Sequence, residues 1–565
     1  MSPNVPRRLP LRGRALPTVR VSNFKSIASA EFDPLPLTIV AGINSSGKSS
    51  LLQALLFCVQ SYGETSTVIN GDLVRLGRPD DLVRAETDQV AFEFATRVSE
   101  VDAADERRWT EYAMRLSLRP LEEQLIPSEL EIWKQHEHLL IARERSAPER
   151  IQRKDGEALL EVSVEADASL PADSWIGISS LQPQRVVYPA DPKLLREGFE
   201  ETVTRAVQGD IEATDNLWSL VVTVEVNEEA SPEVSDSLAQ KLQEARFGSQ
   251  PTSPTLNEDE REALFNLYRE SEAPSGWVSE AIGRQSIRRA DLIPAWTARK
   301  GRNLAPLHRA VALLSDRAGA LASSALYLGP LREDPKVAYP LGHAASSLPV
   351  GEKGQFTAAF LEKNKRSKPV YVTPEGQEKR YDNLESAVSR WCKYLDIGQS
   401  VAVKPEGKMG HQLTLTLNGQ ARDMTAIGVG ASQLLPVVVL VLGAPPGALI
   451  LLEQPELHLH PAVQTRLADF FATARPDLKL LVETHSEYLI TRLRRLVADD
   501  TVKQGRIRVL FAEQELGVTR FDALKISSAG DFDHWPAGFF DTLDQEFVDI
   551  ARAITRPPET KNDTK

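Results

Sequence analysis

Short apolar runs that end in small or polar residues stand out near the N-terminus, next to a segment of helical spacing. Residues 36–41 (PLTIVA) form such a run. A loop with glycines follows, and SSLLQALLFCVQSY then repeats apolar residues at helical spacing. Residues 19–32 and 88–98 instead alternate apolar and polar residues, as strands with one buried face do. The order strand, loop, helix predicts an α/β fold.

The same alternation returns in the C-terminal half. We predict strands at 411–419, 447–452 and 478–486, with an apolar helix at 434–443 and a second helix at 461–474. Fully apolar strands next to helices are typical of a sheet that is covered on both faces. The two halves together therefore predict one α/β domain with a mixed sheet.

The middle of the chain has a different pattern. Charged stretches such as LEEQLIPSELEIWKQHEHLLIARER are interpreted as helical, and Pro/Ser-rich breaks such as FGSQPTSPT separate them. No heptad pattern continues over several repeats, so a long coiled coil is not expected. The predicted organisation is an N-terminal part of the α/β domain (1–98), a large mainly helical insertion (99–320), the C-terminal part of the domain (321–545) and a tail (546–565) whose last ten residues are expected to be disordered.

Composition and charge narrow the class of protein. The chain has 565 residues, of which 42% are apolar and 26% charged, as in ordinary globular proteins. The formal charge is 66 − 79 = −13, so any DNA contact needs a local basic surface. The two cysteines lack CxxC spacing, and the N-terminus lacks the apolar core of a secretory signal, so a cytoplasmic location is expected. Prolines and glycines interrupt the most apolar stretch, 434–452, and argue against a membrane span.

The loop after the first apolar strand carries the most specific motif. It reads GINSSGKS (Gly42–Ser49) and matches G-x-x-x-x-G-K-[ST]. Main-chain amides of such a loop wrap phosphates, Lys48 reaches the β- and γ-phosphates, and the Ser49 hydroxyl ligates Mg²⁺. The predicted nucleotide contacts are Asn44, Ser45, Ser46, Gly47, Lys48, Ser49 and Ser50.

A second apolar run, LILL, ends in the acids of LILLEQPE. Its strand delivers Glu453 to the carboxyl edge of the sheet, where a carboxylate can bind Mg²⁺ directly or through water. The next position, where a catalytic base is usual, is Gln454, and an amide cannot accept a proton from water. Glu456 or Glu483 is left as a substitute base, and slow hydrolysis is the favoured expectation.

Two further segments point to phosphate chemistry. The strand LLVETHS places His485 at the same edge, within reach of a γ-phosphate or an attacking water. In IGVGASQLLPV, two glycines precede Ser432 at the start of an apolar helix, which is a second phosphate-binding helix N-terminus. This helix precedes the Glu453 strand and is expected to serve the nucleotide of another subunit.

The motifs NFKSI, GINSSGKSS, GVGASQLLP, LLEQPELHLHP and ETHS together resemble the ATPase heads of the RecF/OLD/SMC branch of the ABC superfamily. More narrowly, the chain resembles prokaryotic AAA-family ATPases with an uncharacterised C-terminal domain, whose phrases YLGPLRE and FDHWPAGFFD it shares. The resemblance covers roughly 1–98 and 321–545, and it implies an ABC-type head that binds ATP and Mg²⁺ and hydrolyses ATP.

The resemblance also implies roles for single residues. Glu453 corresponds to the Mg²⁺-binding acid, where aspartate is commoner, and Ser432 to the signature serine that acts on the ATP of the partner in a homodimer. His485 corresponds to the switch histidine, and Gln454 departs from the usual glutamate base. Arg332 of YLGPLRE is left with two roles, a γ-phosphate contact or a structural ion pair.

Partners are predicted from charge and from the resemblance. One segment is strongly basic and is the candidate DNA surface; a solvated or subunit-contact face is the alternative. Its residues are Arg284, Arg288, Arg289, Arg299, Lys300 and Arg302. The resemblance implies a separate effector such as a nuclease, in anti-phage defence, and no nuclease motif is expected in this chain. The alternatives are a RecF-like repair ATPase, a non-hydrolysing nucleotide-switched scaffold and, least favoured, a transporter ATPase.

Overall fold

The structure is a computed structural model. It describes residues 16–101, 107–148, 153–163, 173–189, 256–272, 277–282, 305–342, 347–380 and 382–536, together with 151, 196, 199–200, 203–204, 206, 208, 241, 546, 548–550 and 552.

The secondary structure begins with strands and a helix that surround the Gly42–Ser49 loop. These are β1 (Thr18–Phe24), β2 (Ile27–Phe32), β3 (Leu37–Gly42) and α1 (Lys48–Ser61). A series of strands follows, with one helix before its last member. These are β4 (Val90–Val101), β5 (Arg107–Leu121), β6 (Gln124–Lys134), β7 (Glu137–Glu144), β8 (Glu157–Val162), β9 (Trp175–Ser179), β10 (Gln182–Pro189), α2 (Glu258–Glu272) and β11 (Trp277–Ala281).

The C-terminal half alternates helices and strands. Its first elements are α3 (Ala305–Ser324), β12 (Ala325–Leu328), α4 (Thr357–Asn364), β13 (Tyr371–Val372), β14 (Glu378–Lys379), α5 (Leu384–Tyr394), β15 (Ser400–Pro405), β16 (His411–Leu417) and β17 (Gln420–Asp423). The rest are α6 (Val429–Gly443), β18 (Leu449–Glu453), α7 (Pro461–Thr473), β19 (Lys479–Glu483), α8 (Glu487–Ala498), β20 (Ile507–Glu515) and β21 (Val518–Leu524).

Among the described residues, one mixed sheet of 16 strands joins both halves of the chain, and its order explains where the site forms. The segment β20-β3-β19-β18-β12 is parallel throughout. The carboxyl ends of these five strands therefore meet at one edge, which is where ligands bind in α/β sheets. The structure confirms the predicted α/β fold with a mixed sheet.

Apolar residues cover both faces of this parallel segment. In β18, Leu449 and Leu451 pack into the core cluster that contains α1 and α3, and Ile450 and Leu452 pack into the cluster that contains α4 to α8. Successive side chains of a strand point to opposite faces, so a fully apolar run is what a doubly covered strand requires. Packing on both faces of β18 therefore fixes the position of Glu453 at the carboxyl end of the strand.

The prediction of a mainly helical insertion at 99–320 is wrong for the described residues. The boundary at 98/99 falls inside β4 and the boundary at 320/321 inside α3, and strands β5 to β11 extend the same sheet in antiparallel order. In residues 124–134, burial alternates with period two on either side of a register shift near residue 128, so that Leu125, Leu130 and Ile132 are buried. The acids and bases between them form cross-strand ion pairs, such as Arg143–Glu129 at 2.7 Å, and do not form a charged helix face.

Several predictions fall outside the described residues. They concern the basic residues between Arg284 and Arg302 and the expected disorder of the last ten residues. The nearby Arg309 is described, and it makes an ion pair of 2.9 Å with Glu100. In the described part of the chain, the helices are either too short or too polar to cross a lipid bilayer.

Candidate active site

The Gly42–Ser49 loop joins β3 to α1 and is held in a compact turn. Gly42 and Gly47 have positive φ angles of 145° and 90°, which favour glycine. A Cβ atom at Gly42 would lie 2.3 Å from the carbonyl oxygen of Ala512, on the neighbouring strand β20. Lys48 is 4% exposed and donates from Nζ to the carbonyl oxygens of Gly42 at 3.1 Å and Ile43 at 2.5 Å. Its burial lowers the pKa of its ammonium group.

The other residues of the loop divide into exposed and buried positions. Asn44 and Ser45 are exposed at the tip, where their amides are open to a ligand, and Ser50 lies in the first turn of α1. Ser46 is buried, and its carbonyl oxygen accepts a hydrogen bond of 2.9 Å from the Thr519 hydroxyl of β21. A Cβ atom at Gly47 would lie 2.4 Å from the same hydroxyl. Thr519 therefore supports the Gly42–Ser49 loop from strand β21. Sequence analysis did not single out this residue.

The Ser49 hydroxyl donates a hydrogen bond of 2.9 Å to Oε1 of Glu483. Glu483 ends β19, which lies between β3 and β18 in the sheet. The residue is 1% exposed, and its burial raises the pKa of the carboxyl group. The carboxylate that contacts the expected Mg²⁺-binding hydroxyl thus comes from the strand next to the one that carries Glu453.

Glu453 ends β18 and is directed toward β12. Its Oε1 accepts a hydrogen bond of 2.8 Å from the Tyr327 hydroxyl. Burial, and then the negative charge of Glu483, raise the pKa of Glu453 to about 7, although the Tyr327 bond acts in the opposite direction. Tyr327 lies within YLGPLRE and was not singled out from the sequence. The sequence signal that could have identified Tyr327 is a tyrosine near the end of a short apolar strand.

Gln454 begins the turn after β18 with a φ of 43°, and its main-chain N–H donates to the carbonyl oxygen of Glu483 at 2.8 Å. Arg332 fixes the same turn from the other side. Its guanidinium donates to the carbonyl oxygens of Glu453 at 3.1 Å and Gln454 at 3.0 Å, as well as to that of Pro330. Burial lowers the pKa of Arg332 to about 10. Of the two roles left open for Arg332, its contacts favour a structural one, but as a clamp on main-chain carbonyls instead of an ion pair.

Glu456 is engaged with the segment that carries the histidine. Its Oε1 accepts a hydrogen bond of 2.6 Å from the main-chain N–H of His485, and its burial raises the pKa of the carboxyl group. The His485 ring is exposed at the sheet edge. Partial desolvation and the positive charge of Lys48 lower the pKa of His485, so its imidazole is neutral near pH 7.

Ser432 lies in the first turn of α6, as the sequence predicted. Its hydroxyl donates to the carbonyl oxygen of Val429 at 2.7 Å, and the residue is buried. Among the described residues, no hydrogen bond joins Ser432 to the Gly42–Ser49 loop. The side chain of Val429, one residue into the helix, is 52% exposed. The role of Ser432 toward the nucleotide of a partner stays a prediction.

The residues that converge at this edge fit a complex of ATP with Mg²⁺. Ser49 offers a hydroxyl and Glu453 a carboxylate, and Oε2 of Glu483 beside them is buried without a hydrogen-bond partner in the described structure. Buried polar atoms normally have a partner, so such an atom indicates a site that a ligand or water completes. Mg²⁺ prefers oxygen ligands of this kind together with phosphates and waters.

Comparison with known proteins found a family match for part of the chain. Residues 372–491 match a family described as "AAA domain, putative AbiEii toxin, Type IV TA system". This segment includes Ser432, Glu453 and His485 and does not include the Gly42–Ser49 loop. The comparison with curated proteins gave no match.

Several solved structures are remotely similar. The Smc head domain of Pyrococcus furiosus, with an extended coiled coil and bound to the C-terminal domain of ScpA, is 11% identical over 96% of this chain and 100% of that chain, with a TM-score of 0.34. The Smc head domain of Pyrococcus yayanosii, with a coiled coil and joint, is 10% identical over 95% and 99%, with a TM-score of 0.33. The SMC head domain of Thermotoga maritima is 8% identical over 91% and 100%, with a TM-score of 0.31. For residues 372–491, the family match confirms the resemblance to AAA-type ATPases that the motifs predicted.

Proposed function

We propose that the chain binds ATP with Mg²⁺ at the Gly42–Ser49 loop and hydrolyses it slowly. The observation that carries this proposal is the 2.9 Å contact between Ser49, at the start of α1, and Glu483, at the end of β19. It brings the expected Mg²⁺-binding hydroxyl and a buried carboxylate together beside Lys48, which is the arrangement that phosphoryl transfer from a P-loop requires.

Slow hydrolysis follows from Gln454. Its side-chain amide can orient a water molecule but cannot take its proton. General-base assistance typically contributes about 10² to 10⁴ in rate, so a site with a poorly placed base turns over slowly. Bound ATP then persists, and its presence or absence acts as the signal. A non-hydrolysing scaffold is the second candidate, and the same glutamine favours it.

We infer that two chains close on two ATP molecules. Ile43, at the tip of the loop, is 57% exposed, and Val429, at the start of α6, is 52% exposed. Apolar side chains next to polar phosphate-binding groups are suited to burial against another protein surface. The helix N-terminus at Ser432, which bonds to its own first turn, is then available to the nucleotide of the partner.

The wider role that we propose is a DNA-sensing or DNA-clamping ATPase that controls a separate effector in anti-phage defence. The basic residues between Arg284 and Arg302 support the DNA contact. The toxin system named in the description of the matching family supports the effector. A RecF-like repair ATPase shares the DNA contact and lacks the effector.

The test is steady-state ATP turnover of the purified full chain, with and without duplex DNA, next to binding of a fluorescent ATP analogue. Lys48→Ala serves as the blank because it removes the phosphate-binding ammonium group. Turnover above this blank supports the ATPase, and stimulation by DNA supports DNA sensing. ATP binding without turnover supports the scaffold. A wild-type chain that neither binds nor hydrolyses ATP refutes the proposal.

A further inference from the structure

We propose that Glu483 is the general base of ATP hydrolysis and fills the role that Gln454 leaves open. This assignment rests on the proposed ATPase function and names the group that accepts the proton. The usual base would follow the Mg²⁺-binding acid on β18. Here the base is supplied by the neighbouring strand β19.

The position of Glu483 in the sheet is the first support. Strand β19 lies between β3, which leads into the Gly42–Ser49 loop, and β18, which leads into Gln454. Glu483 is in register with Val40 on one side and with Glu453 on the other. A side chain at the end of this central strand faces the space between the phosphate loop and the usual base position.

The contacts of the carboxylate are the second support. Its Oε1 lies 2.9 Å from Oγ of Ser49 and 3.5 Å from Nε2 of Gln454. The carboxylate therefore bridges the hydroxyl that faces the triphosphate and the amide that stands in for the usual base. Gln454 can hold this carboxylate in place while its own carbonyl oxygen accepts from a water molecule.

The free oxygen of Glu483 is the third support. The residue is 1% exposed, and Oε2 has no hydrogen-bond partner among the described residues. A buried carboxylate oxygen without a donor is costly unless something completes it. A water molecule placed for attack on the γ-phosphorus would donate to this oxygen.

The other candidate groups are less suited to the role. Oε2 of Glu456 is also buried without a hydrogen-bond partner, but its Oε1 is held by the main-chain N–H of His485 at 2.6 Å, and no hydrogen bond among the described residues joins it to Ser49 or Gln454. Glu453 is held by Tyr327 at 2.8 Å, on the side of β12. In the described part of the chain, no hydrogen bond connects the side chain of His485 to Ser49 or Gln454.

The proposed step transfers one proton. As the oxygen of water bonds to the γ-phosphorus, Glu483 accepts a proton from that water. The bond between the γ-phosphorus and the bridging oxygen breaks, and its electron pair leaves with ADP. The carboxylic acid then returns the proton to solvent, and Glu483 is ready for another cycle.

The test combines removal and relocation of the base in the full chain. Glu483→Gln keeps the shape of the side chain and its contact with Ser49, and it should lower ATP turnover at least about 100-fold. Binding of a fluorescent ATP analogue with Mg²⁺ should stay within about threefold, because the change acts on the chemical step. The double variant Gln454→Glu/Glu483→Gln places a carboxylate at the usual position and should restore turnover to within about tenfold of wild type. Glu483→Asp provides a variant that keeps the charge if Glu483→Gln fails to fold, and it should lose at least about tenfold in turnover.

Each outcome decides the assignment. Loss of turnover with retained binding, followed by recovery in the double variant, supports Glu483 as the base. Retained turnover in Glu483→Gln overturns it, and so does joint loss of turnover and of Mg²⁺-dependent binding without recovery, since that pattern is that of a metal ligand. A wild type that binds ATP without turnover above Lys48→Ala also overturns it. A wild type that binds no ATP refutes the proposed function itself.

Discussion

The hydroxyl of Tyr327 donates a hydrogen bond of 2.8 Å to Oε1 of Glu453, and the two residues lie near the carboxyl ends of neighbouring parallel strands. The bond stabilises the ionised carboxylate, whereas burial and the charge of Glu483 favour the protonated acid. Burial dominates, because the pKa of Glu453 is raised to about 7 in spite of the bond. The nucleotide-free site is therefore sensitive to pH near neutrality.

The first prediction is that the stability of the nucleotide-free protein falls as pH rises from 4.5 to about 7, the interval between the ordinary and the folded-state pKa of Glu453. In this interval the folded state binds more protons than the unfolded state, so raising the pH favours unfolding. The contribution is at most about 3 kcal/mol. Urea unfolding in EDTA at a series of pH values measures it.

Two variants make this prediction specific. Glu453→Gln should reduce the pH dependence to the part that Glu456 and Glu483 contribute, and Tyr327→Phe should move the fall toward higher pH, because the bond that lowers the pKa of Glu453 is lost. Glu137→Gln, at an exposed position on β7, is the control that should leave the slope unchanged. A slope as steep in Glu453→Gln as in the wild type would contradict the assignment to this carboxyl group.

The second prediction compares two buried arginines that bind main-chain carbonyls. Arg332 holds the carbonyls of Glu453 and Gln454 in the site. Arg475 holds those of Leu442 and Ala444, between α6 and α7. Replacement of either arginine by lysine should lower the free energy of unfolding by about 2 to 4 kcal/mol, because one ammonium group cannot reach several carbonyls.

ATP turnover should separate the two arginines. Arg332→Lys should lower kcat at temperatures where the protein is folded, because the turn that carries Gln454 is released. Arg475→Lys is the matched control and should retain kcat. Equal loss of kcat in both variants would mean that stability alone explains the effect.

The phosphate loop and its chemistry could be predicted from the sequence, because the motif is contiguous. Gly42, Lys48 and Ser49 lie within one turn of chain between a strand and a helix, so local spacing determines their geometry. Glu453 and His485 could be predicted to share an edge because parallel strands end together. Which carboxylate contacts Ser49 depends on the order β3-β19-β18, which one sequence does not determine.

The error in the middle of the chain has a physical cause. Residues 121–145 are rich in charges of both signs, which also stabilise exposed helices. The structure uses those charges in antiparallel cross-strand pairs, such as Arg143 with Glu129 at 2.7 Å. The period-two burial of Leu130 and Ile132 was the decisive signal, and charge content obscured it.

The third prediction concerns Thr519, which braces the phosphate loop from β21. Thr519→Val keeps the volume and removes the donor to the carbonyl oxygen of Ser46. We expect ATP affinity to fall about fivefold, which corresponds to one hydrogen bond of roughly 1 kcal/mol. Titration with a fluorescent ATP analogue measures the change.

A matched control for Thr519 lies on the small sheet formed by β15, β16 and β17. Thr416 of β16 is hydrogen-bonded to Ser400, and Thr416→Val should leave ATP affinity unchanged. An unchanged affinity in Thr519→Val would show that the loop keeps its shape without this support.

The fourth prediction tests whether each chain lends its α6 helix to the nucleotide of its partner. Val429→Asp adds a carboxylate at the exposed start of α6, where acids favour the helix but repel the phosphates of a partner's ATP. Lys48→Ala removes nucleotide binding within its own loop. Each variant alone should lack turnover. An equal mixture of the two variants should regain roughly a quarter of the wild-type rate. Half of its dimers contain one chain of each kind, and each of these has one intact composite site of two.

The control is a mixture of Lys48→Ala with the double variant Lys48→Ala/Val429→Asp, in which no intact site can form. Recovery in the first mixture with none in the second would require that one chain supplies the phosphate loop and the other supplies α6. If both mixtures stay inactive while native mass spectrometry shows that mixed dimers form, the helix N-terminus at Ser432 does not act across the dimer. If Val429→Asp alone retains full turnover, each phosphate loop works without a partner's helix, and the exposed Val429 must serve another contact.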